Sequence, residues 1–316
     1  MRPARLTGTA GTGTAGTGTA GSRATAAGGG LPAPLTALYE QEGLPAWGLP
    51  AVLADLYGGD LGFRQPCVYA NFVASVDGVT ALGPEYPSSG SAISGHAPAD
   101  RFVMGLLRAC ADVVLIGAGT LRATPGHRWT PSHVCPAAAE SYAALRRTRG
   151  LPADPLLAVV TARGDVPAGH PALRAGALIL TTATAARRLH GRLPPACTVA
   201  GLGEGPELPP AGVLAAARDR GGNMVLTEGG PRLLGQFAAG GLLDELFLTI
   251  SPVLAGRGDT ARPGLVAGLE LLPGRSEPAE LLTVRRHGSY LFLRYATRGT
   301  PFAPEPAAGS ASQSEP

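Results

Sequence analysis

The 316-residue sequence contains no lysine, so all 26 of its Lys and Arg residues are arginine. A Walker-type phosphate loop requires a lysine, so this class of nucleotide site is excluded. A nucleophile elbow is also missing, because Gly90–Gly95 has the wrong spacing for Gly-x-Ser-x-Gly. The net charge of +3 is spread over the chain, and we expect no nucleic-acid partner.

Cysteines are few and none lies in a Cys-x-x-Cys pair. The four are widely separated, at Cys67, Cys110, Cys135 and Cys197. This spacing encodes neither a disulfide framework nor a zinc site, so we expect no bound metal. No apolar run reaches the roughly 18 residues of a membrane span, and the N-terminus carries Arg2 and Arg5 without an apolar stretch. The sequence therefore predicts a cytoplasmic protein that does not bind membranes.

The ends of the chain differ from its middle. Residues 1–30 repeat Gly, Thr and Ala, and residues 299–316 are rich in Pro, Ala, Gly and Ser. Such compositions cannot pack a core, so both tails are predicted to be disordered. Residues 31–64 form a Pro- and Leu-rich extension that we expect to pack on the main domain, residues 65–298.

The main domain alternates short apolar runs with helical segments, which favours an α/β fold with a mainly parallel sheet covered on both faces. The last two predicted strands have no helix between them, which predicts an antiparallel C-terminal edge. The predicted strands are Cys67–Ala74, Asp112–Ile116, Leu156–Thr161, Ala177–Thr181, Cys197–Ala200, Met224–Thr227, Leu246–Val253 and Tyr290–Tyr295. The predicted helices are Pro98–Ala109, Ala137–Thr148, Thr184–His190, Ala211–Arg220 and Pro231–Gly240.

Two strand–glycine–helix junctions are the most informative local feature. One follows Thr227 with Glu228, Gly229 and Gly230 before a helix that starts at Pro231, and the other places Gly117 and Gly119 before Thr120. Glycine allows close approach of the backbone, and a helix N-terminus presents free N–H groups, so each junction suits a phosphate. Together they predict a seat for one extended nucleotide cofactor, although each alone is also compatible with a structural turn.

The glycine pattern departs from a standard dinucleotide fingerprint. Arg122 occupies the third glycine position after Gly117 and Gly119, and no acidic residue closes a second strand about 20 residues later. The sequence therefore disfavours a standard Rossmann domain.

The helix near Pro98 carries an acid and an arginine on roughly one apolar face. Asp100 and Arg108 are eight residues apart, with Met104 and Leu107 between them. Such a pair can serve as a proton source and an anion clamp. The alternative is that Asp100 is a helix-start charge favoured by the dipole and Arg108 a solvated side chain.

Five motifs in this order resemble the reductase domain of bacterial riboflavin biosynthesis, most closely its actinobacterial stand-alone branch. They are Ala70–Gly78, Leu107–Ala109, Gly117–Ala123, Thr227–Pro231 and Leu243–Leu246. The resemblance covers about residues 65–297. It implies a three-layer, dihydrofolate-reductase-like fold and an NADPH-dependent reductase of a pyrimidine intermediate similar to 5-amino-6-(5-phosphoribosylamino)uracil.

The resemblance also implies site residues. Substrate contacts fall on Ser75, Arg108 and Glu228, and Asp100 is the candidate catalytic residue. The cofactor contacts expected from the motifs and the junctions are Ala74, Gly117, Gly119, Thr120, Thr124, Gly229, Gly230, Pro231, Arg232, Leu233 and Leu234.

Two departures from the family pattern leave the small-molecule substrate open. The expected Asp-Asp-Pro is replaced by Thr124-Pro125-Gly126, and Asp100 stands where dihydrofolate reductases place a pterin-binding acid. A pterin reductase and an NADPH-binding protein without turnover are therefore retained as alternatives. The deaminase motifs His-x-Glu and Pro-Cys-x-x-Cys are absent, which excludes deamination.

Residues 242–250 predict a homodimer. This apolar segment leads a strand that we expect near the sheet edge, and an exposed apolar edge invites pairing. The resembled family is also commonly dimeric.

We predict a preference for NADPH over NADH. The strand Leu156–Val160 ends in Thr161-Ala162-Arg163, at the sheet end where nucleotides bind. Arg163 should hold the 2′-phosphate, with Thr161 and Thr182 nearby. Arg163→Ala should weaken binding of NADPH and leave binding of NADH unchanged. Equal losses for the two cofactors in a binding titration, or no loss, would make Arg163 a surface loop residue.

Overall fold

The computed structural model describes residues 30–83, 86–258, 262–272 and 278–297. The predicted disorder of the two tails concerns residues outside these ranges, apart from Gly30. From Leu31 onward the chain forms one unit. In the described ranges, no helix has both the length and the apolar character needed to cross a membrane.

Ten strands and ten α-helices make up the described chain. The strands are β1 Thr36–Glu40, β2 Cys67–Ser75, β3 Val113–Gly117, β4 Leu156–Thr161, β5 Leu178–Thr181, β6 Thr198–Gly201, β7 Met224–Thr227, β8 Glu245–Ser251, β9 Glu280–His287 and β10 Tyr290–Ala296. The helices are α1 Ala51–Tyr57, α2 Ser89–Ile93, α3 Pro98–Cys110, α4 Ala118–Ala123, α5 Pro131–Val134, α6 Ala139–Thr148, α7 Pro171–Arg174, α8 Ala183–Leu189, α9 Pro210–Gly221 and α10 Pro231–Ala239, with a 3-10 turn at Pro136–Ala138.

All the strands join one sheet in the order β1-β9-β10-β8-β2-β7-β3-β4-β5-β6. The seven strands from β8 to β6 run parallel, whereas β10, β9 and β1 continue the sheet in antiparallel fashion. The predicted α/β fold, with a mainly parallel sheet and an antiparallel C-terminal side, is confirmed.

The expectation that β8 lies near a sheet edge is wrong. β8 pairs with β2 on one side and with β10 on the other, so neither of its edges is exposed. The free edges of the described sheet are β1 and β6. The homodimer stays a prediction, and its argument from an exposed β8 no longer applies.

Helices cover both faces of the sheet and create two cores. On one face, called here the α3 face, Phe102 and Leu106 of α3 and Tyr142 of α6 pack on the sheet. Gly105 permits this contact, because a Cβ there would lie 2.6 Å from the Tyr142 hydroxyl oxygen. On the opposite face, Val213 of α9 and Phe237 of α10 pack on residues such as Val225.

The sequence pattern did not predict two strands and several short helices. β9 mixes charged residues such as Arg285 and Arg286 with apolar ones, and β1 is exposed along its whole length. Neither strand has the continuous apolar run that identifies a buried parallel strand. α4 contains Gly119, a poor helix former.

Buried arginines fasten residues 31–64 to the C-terminal strands. Arg285 donates from Nε to the Tyr57 carbonyl at 2.9 Å and forms an ion pair with Glu40. Arg294 donates to the Gly62 carbonyl at 2.7 Å and to both carboxylate oxygens of Glu245, at 2.7 and 2.9 Å. These contacts join residues 31–64 to β8, β9 and β10, and the division into an extension and a main domain stays a prediction.

We predict that Arg294→Met destabilises the protein by about 3–5 kcal/mol, because it leaves the Glu245 carboxylate buried without its partner. The side chains of Arg294 and Glu245 are 3% and 13% exposed. Arg187→Met is the matched control, since the Arg187–Glu204 pair is 65% and 72% exposed and should contribute at most about 1 kcal/mol. Urea unfolding measures both variants. Equal losses of unfolding free energy would contradict the assignment of Arg294 as an anchor.

Candidate active site

The two glycine junctions lie side by side at the carboxyl end of the parallel strands. β3 and β7 pair directly, and the backbone N–H of Glu228 donates to the Leu115 carbonyl at 3.0 Å. A Cβ on Gly230 would lie 4.0 Å from Oγ1 of Thr120, so the two junctions face one another. In open α/β sheets this end of the strands is where ligands bind.

The glycines at these junctions leave open space beside the backbone. A Cβ added at Gly117 or Gly119 would meet nothing within 4 Å. Gly229 has the opposite role, because a Cβ there would lie 2.5 Å from a methyl carbon of Leu233. α10 then begins at Pro231 with Gly230 as its N-cap, which has no side chain to satisfy the first N–H groups. This cradle fits an anionic nucleotide.

A buried ion pair stands next to the cradle. Arg108, near the end of α3, donates from Nε and Nη2 to the two carboxylate oxygens of Glu228 at 2.8 and 2.6 Å. The side chains are 1% and 9% exposed. A bidentate pair of this kind fixes the plane of the carboxylate as well as its position.

The remaining donors of Arg108 hold the segment that follows α4. Nη1 donates to the carbonyls of Arg128 and Thr130 at 3.3 and 3.4 Å, and Nη2 lies 3.0 Å from Nε2 of His127. With the two bonds to Glu228, these contacts use the five N–H groups of a guanidinium. No N–H group of Arg108 is thus left unpaired within the described part of the chain.

His127 is held as a neutral imidazole. Burial and the nearby charge of Arg108 lower its pKa to about 3. Because the Arg108 guanidinium can only donate, Nε2 of His127 accepts that hydrogen bond. The ring packs edge-on against Trp129 and His133, with centroids 5.0 and 4.9 Å away.

Asp100 lies at the other end of α3 and is 6% exposed. Burial raises its pKa to about 6, and the charge of Glu228 adds to this effect, while hydrogen bonds from Thr249 and Ser94 oppose it. Asp100 and Arg108 thus share the α3 face, with Glu228 close enough to affect both. A carboxyl group with such a pKa can hold and release a proton near neutral pH.

The predicted cofactor residues on the neighbouring strands are only partly brought together. Thr124 donates from Oγ1 to the Thr120 carbonyl at 2.8 Å, within the first junction. Thr161 ends β4, and Arg163 is an exposed residue whose carbonyl accepts from Arg188 at 2.9 Å. Thr182 caps α8 by accepting from the Ala185 N–H at 3.2 Å. These last three stay predictions, because Thr161 and Arg163 follow β4, two strands away from β7, and Thr182 follows β5, three strands away.

Ser75 and Ala74 end β2, on the other side of β7 from the first junction. Ser75 donates to Oδ1 of Asp77 at 2.6 Å, and Asp77 also accepts from the N–H groups of Ala255 and Gly256 at 3.0 and 2.8 Å. These hydrogen bonds lower the pKa of Asp77 to about 2. In this arrangement the Ser75 hydroxyl supports a turn, so its contact with substrate stays a prediction.

Sequence reasoning missed the residues that act through tertiary contacts. Thr249 and Ser94 surround Asp100, and His127 completes the shell of Arg108. No local pattern marks a threonine in an apolar strand as the partner of an acid more than a hundred residues away. His127 offered a signal, because it lies in the segment that departs from the family pattern.

The described residues form a three-layer α/β protein with two glycine junctions side by side at the carboxyl end of its sheet. The family model of the RibD C-terminal domain matches residues 66–273. The chain belongs to this family, as the motifs predicted. No curated protein sequence matches the chain.

Solved structures share the fold at low sequence identity. RibD of Acinetobacter baumannii is 19% identical with a TM-score of 0.54, and the match covers 77% of this chain and 59% of that one. A pyrimidine reductase-like protein of Corynebacterium diphtheriae is 19% identical with a TM-score of 0.54, covering 80% and 96%. The riboflavin biosynthesis reductase Rib7 of Saccharomyces cerevisiae is 12% identical with a TM-score of 0.51, covering 78% and 94%.

We predict that Asp100→Asn stabilises the protein at about pH 7 by about 1–3 kcal/mol. The folded-state pKa of about 6 lies above the ordinary value of 3.8, so the folded state binds more protons and loses stability as the pH rises through that interval. Urea unfolding at about pH 4 and pH 7 should show the gain only at the higher pH. Asp219→Asn, an exposed acid of α9, is the control. A destabilised Asp100→Asn at pH 7 would contradict the assignment.

Proposed function

We propose that the chain is an NADPH-dependent reductase of a phosphoribosylaminopyrimidine intermediate of riboflavin biosynthesis, 5-amino-6-(5-phosphoribosylamino)uracil. One observation carries the proposal: the two facing glycine junctions open beside the buried Arg108–Glu228 pair. This places an anion-binding cradle next to a fixed carboxylate. Membership of the RibD C-terminal domain family supports the same reaction.

The cradle fits the pyrophosphate of a nicotinamide dinucleotide. The open space beside Gly117 and Gly119 lets a ligand approach the backbone, and the α10 N-terminus at Gly230 favours negative charge. Thr120 and Arg232 add a hydroxyl and a guanidinium to the same two helix starts. When bound, NADPH supplies the hydride.

Glu228 is the residue that we expect to bind the substrate. Each of its oxygens accepts one hydrogen bond from Arg108 and keeps a further acceptor site. Glu228 can thus accept from amino or ring N–H groups of a pyrimidine. Arg108 acts here as a positioning residue, since its own donors are occupied within the protein.

Asp100 favours a second candidate, the reduction of a pterin such as dihydrofolate. Its carboxyl group is buried, receives hydrogen bonds from two hydroxyl groups and has a raised pKa. A group of this kind can hold a proton and pass it to a ring nitrogen, which is what hydride reduction of a C=N bond requires. Reduction of the pyrimidine would depend less on the Asp100 carboxyl group. A protein that binds NADPH without turnover would not oxidise the cofactor in the presence of either substrate.

NADPH oxidation with both substrates tests these alternatives. We expect turnover with the phosphoribosylaminopyrimidine. If the pterin is also reduced, Asp100→Asn should slow that reaction by at least about tenfold, equivalent to about 1.4 kcal/mol. The wild-type rate with the pterin should fall as the pH rises through about 6, because Asp100 then loses its proton. Asp219→Asn should match the wild type.

If neither substrate supports oxidation of NADPH, both reductase assignments are wrong. Turnover of the pterin alone would replace the first proposal by the second. If Asp100→Asn leaves the rate of pterin reduction unchanged, Asp100 serves only as a charge at the start of α3.

A further inference from the structure

β2 extends beyond its neighbour at the candidate site. β7 ends at Thr227, which pairs with Ala70, whereas β2 continues to Ser75 and pairs there only with β8. Asn71 is the first residue of β2 after this point. In the parallel register it lies beside Glu228, the residue that follows β7. Asn71 therefore lies where β2 and β7 stop pairing, next to the candidate site.

The side chain of Asn71 lies on the α3 face. Side chains alternate along a strand, and Tyr69, two residues earlier, donates its hydroxyl to the Leu107 carbonyl of α3 at 2.8 Å. Asn71 also lines a small cavity together with Val103 of α3 and Thr249 of β8. Thr249 is the residue that hydrogen-bonds Asp100. Asn71 is thus placed between Glu228 and the surroundings of Asp100.

The side-chain amide of Asn71 is half-buried. Among the residues that the structure describes, its side chain makes no hydrogen bond. Its cavity neighbours include the apolar side chains of Val103, Phe247 and Phe292. A polar group in apolar surroundings is costly unless it is hydrogen-bonded. The other polar side chains of the site, Asp100, Arg108 and Glu228, all have partners.

We infer that Asn71 is a specificity-determining residue that reads the lactam edge, –NH–C=O, of the pyrimidine ring. This inference rests on the proposed function. A carboxamide has one acceptor and two donors, so it can accept from the ring N–H and donate to the adjacent carbonyl. An ionised Glu228 can only accept, and the donors of Arg108 are occupied. Asn71 supplies the missing donor for a ring carbonyl.

The test replaces the donor by an acceptor of the same shape. Asn71→Asp should raise the KM for 5-amino-6-(5-phosphoribosylamino)uracil by about 10- to 100-fold, since a buried carbonyl would lose its partner and face a carboxylate. Asn71→Ala should raise it by about tenfold. The Kd for NADPH, from a fluorescence titration, should stay within about twofold for both variants. Asn223→Asp, an exposed asparagine at the opposite end of β7, is the matched control.

A binding measurement tests the role of Asn71 independently of turnover. If the wild type turns over no pyrimidine, the proposed function fails, and calorimetry with 5,6-diaminouracil and NADPH then tests the ring site alone. The wild type should bind this probe at least about tenfold more tightly than Asn71→Asp. Equal binding, no wild-type binding, or an unchanged KM in both Asn71 variants would overturn the inference. Thermal unfolding of the two variants establishes that they are folded, and Asn71→Ala carries the test if Asn71→Asp does not fold.

Discussion

The bidentate ion pair between Arg108 and Glu228 holds the candidate site together. It joins the end of α3, the residue after β7 and the segment from His127 to Thr130 through one guanidinium. Removal of either partner would destabilise the protein, because the other charge would be left buried and unpaired at such low exposure. The pair therefore constrains the backbone on three sides of the cleft. Burial and the charge of Arg108 keep His127 neutral, so its Nε2 can accept from the guanidinium.

The site concentrates polar groups that a stability-driven core would avoid. Asp100 is buried near a second carboxylate, which raises its pKa, and the half-buried Asn71 side chain has no hydrogen-bond partner among the residues that the structure describes. A buried carboxyl group with a raised pKa and an unpaired amide both cost stability in the folded chain. By contrast, the arginines that fasten residues 31–64, Arg285 and Arg294, have carboxylate and carbonyl partners within the protein.

The parallel part of the fold could be predicted from sequence because buried parallel strands have uninterrupted apolar runs. β4 and β7 begin and end where the sequence indicated, at Leu156–Thr161 and Met224–Thr227. The position of β8 could not be predicted in this way, since β9 and β1, which displace it from the edge, have charged or exposed residues. Their pairing depends on long-range contacts such as Arg285 with Tyr57 and Glu40.

The candidate site, like the fold, could be predicted from sequence only where its residues are local. The glycine junctions are local in sequence, so their chemistry was readable before their proximity was known. The contacts of Asp100 with Thr249, and of Arg108 with His127, connect segments that no periodicity relates. The sequence indicated Arg108 as an anion clamp, but whether a guanidinium is free depends on which carbonyls fold against it. Here the carbonyls of Arg128 and Thr130 take up those donors.

The central claim is that the Arg108–Glu228 pair orders a substrate-binding carboxylate beside a separate NADPH cradle. Steady-state kinetics and NADPH binding of Glu228→Gln test this claim most directly. We expect the Kd for NADPH to stay within about twofold, while kcat/KM for the phosphoribosylaminopyrimidine falls by about 100-fold or more. A Glu228→Gln variant that loses NADPH binding and substrate turnover together, or that retains full turnover, would contradict it.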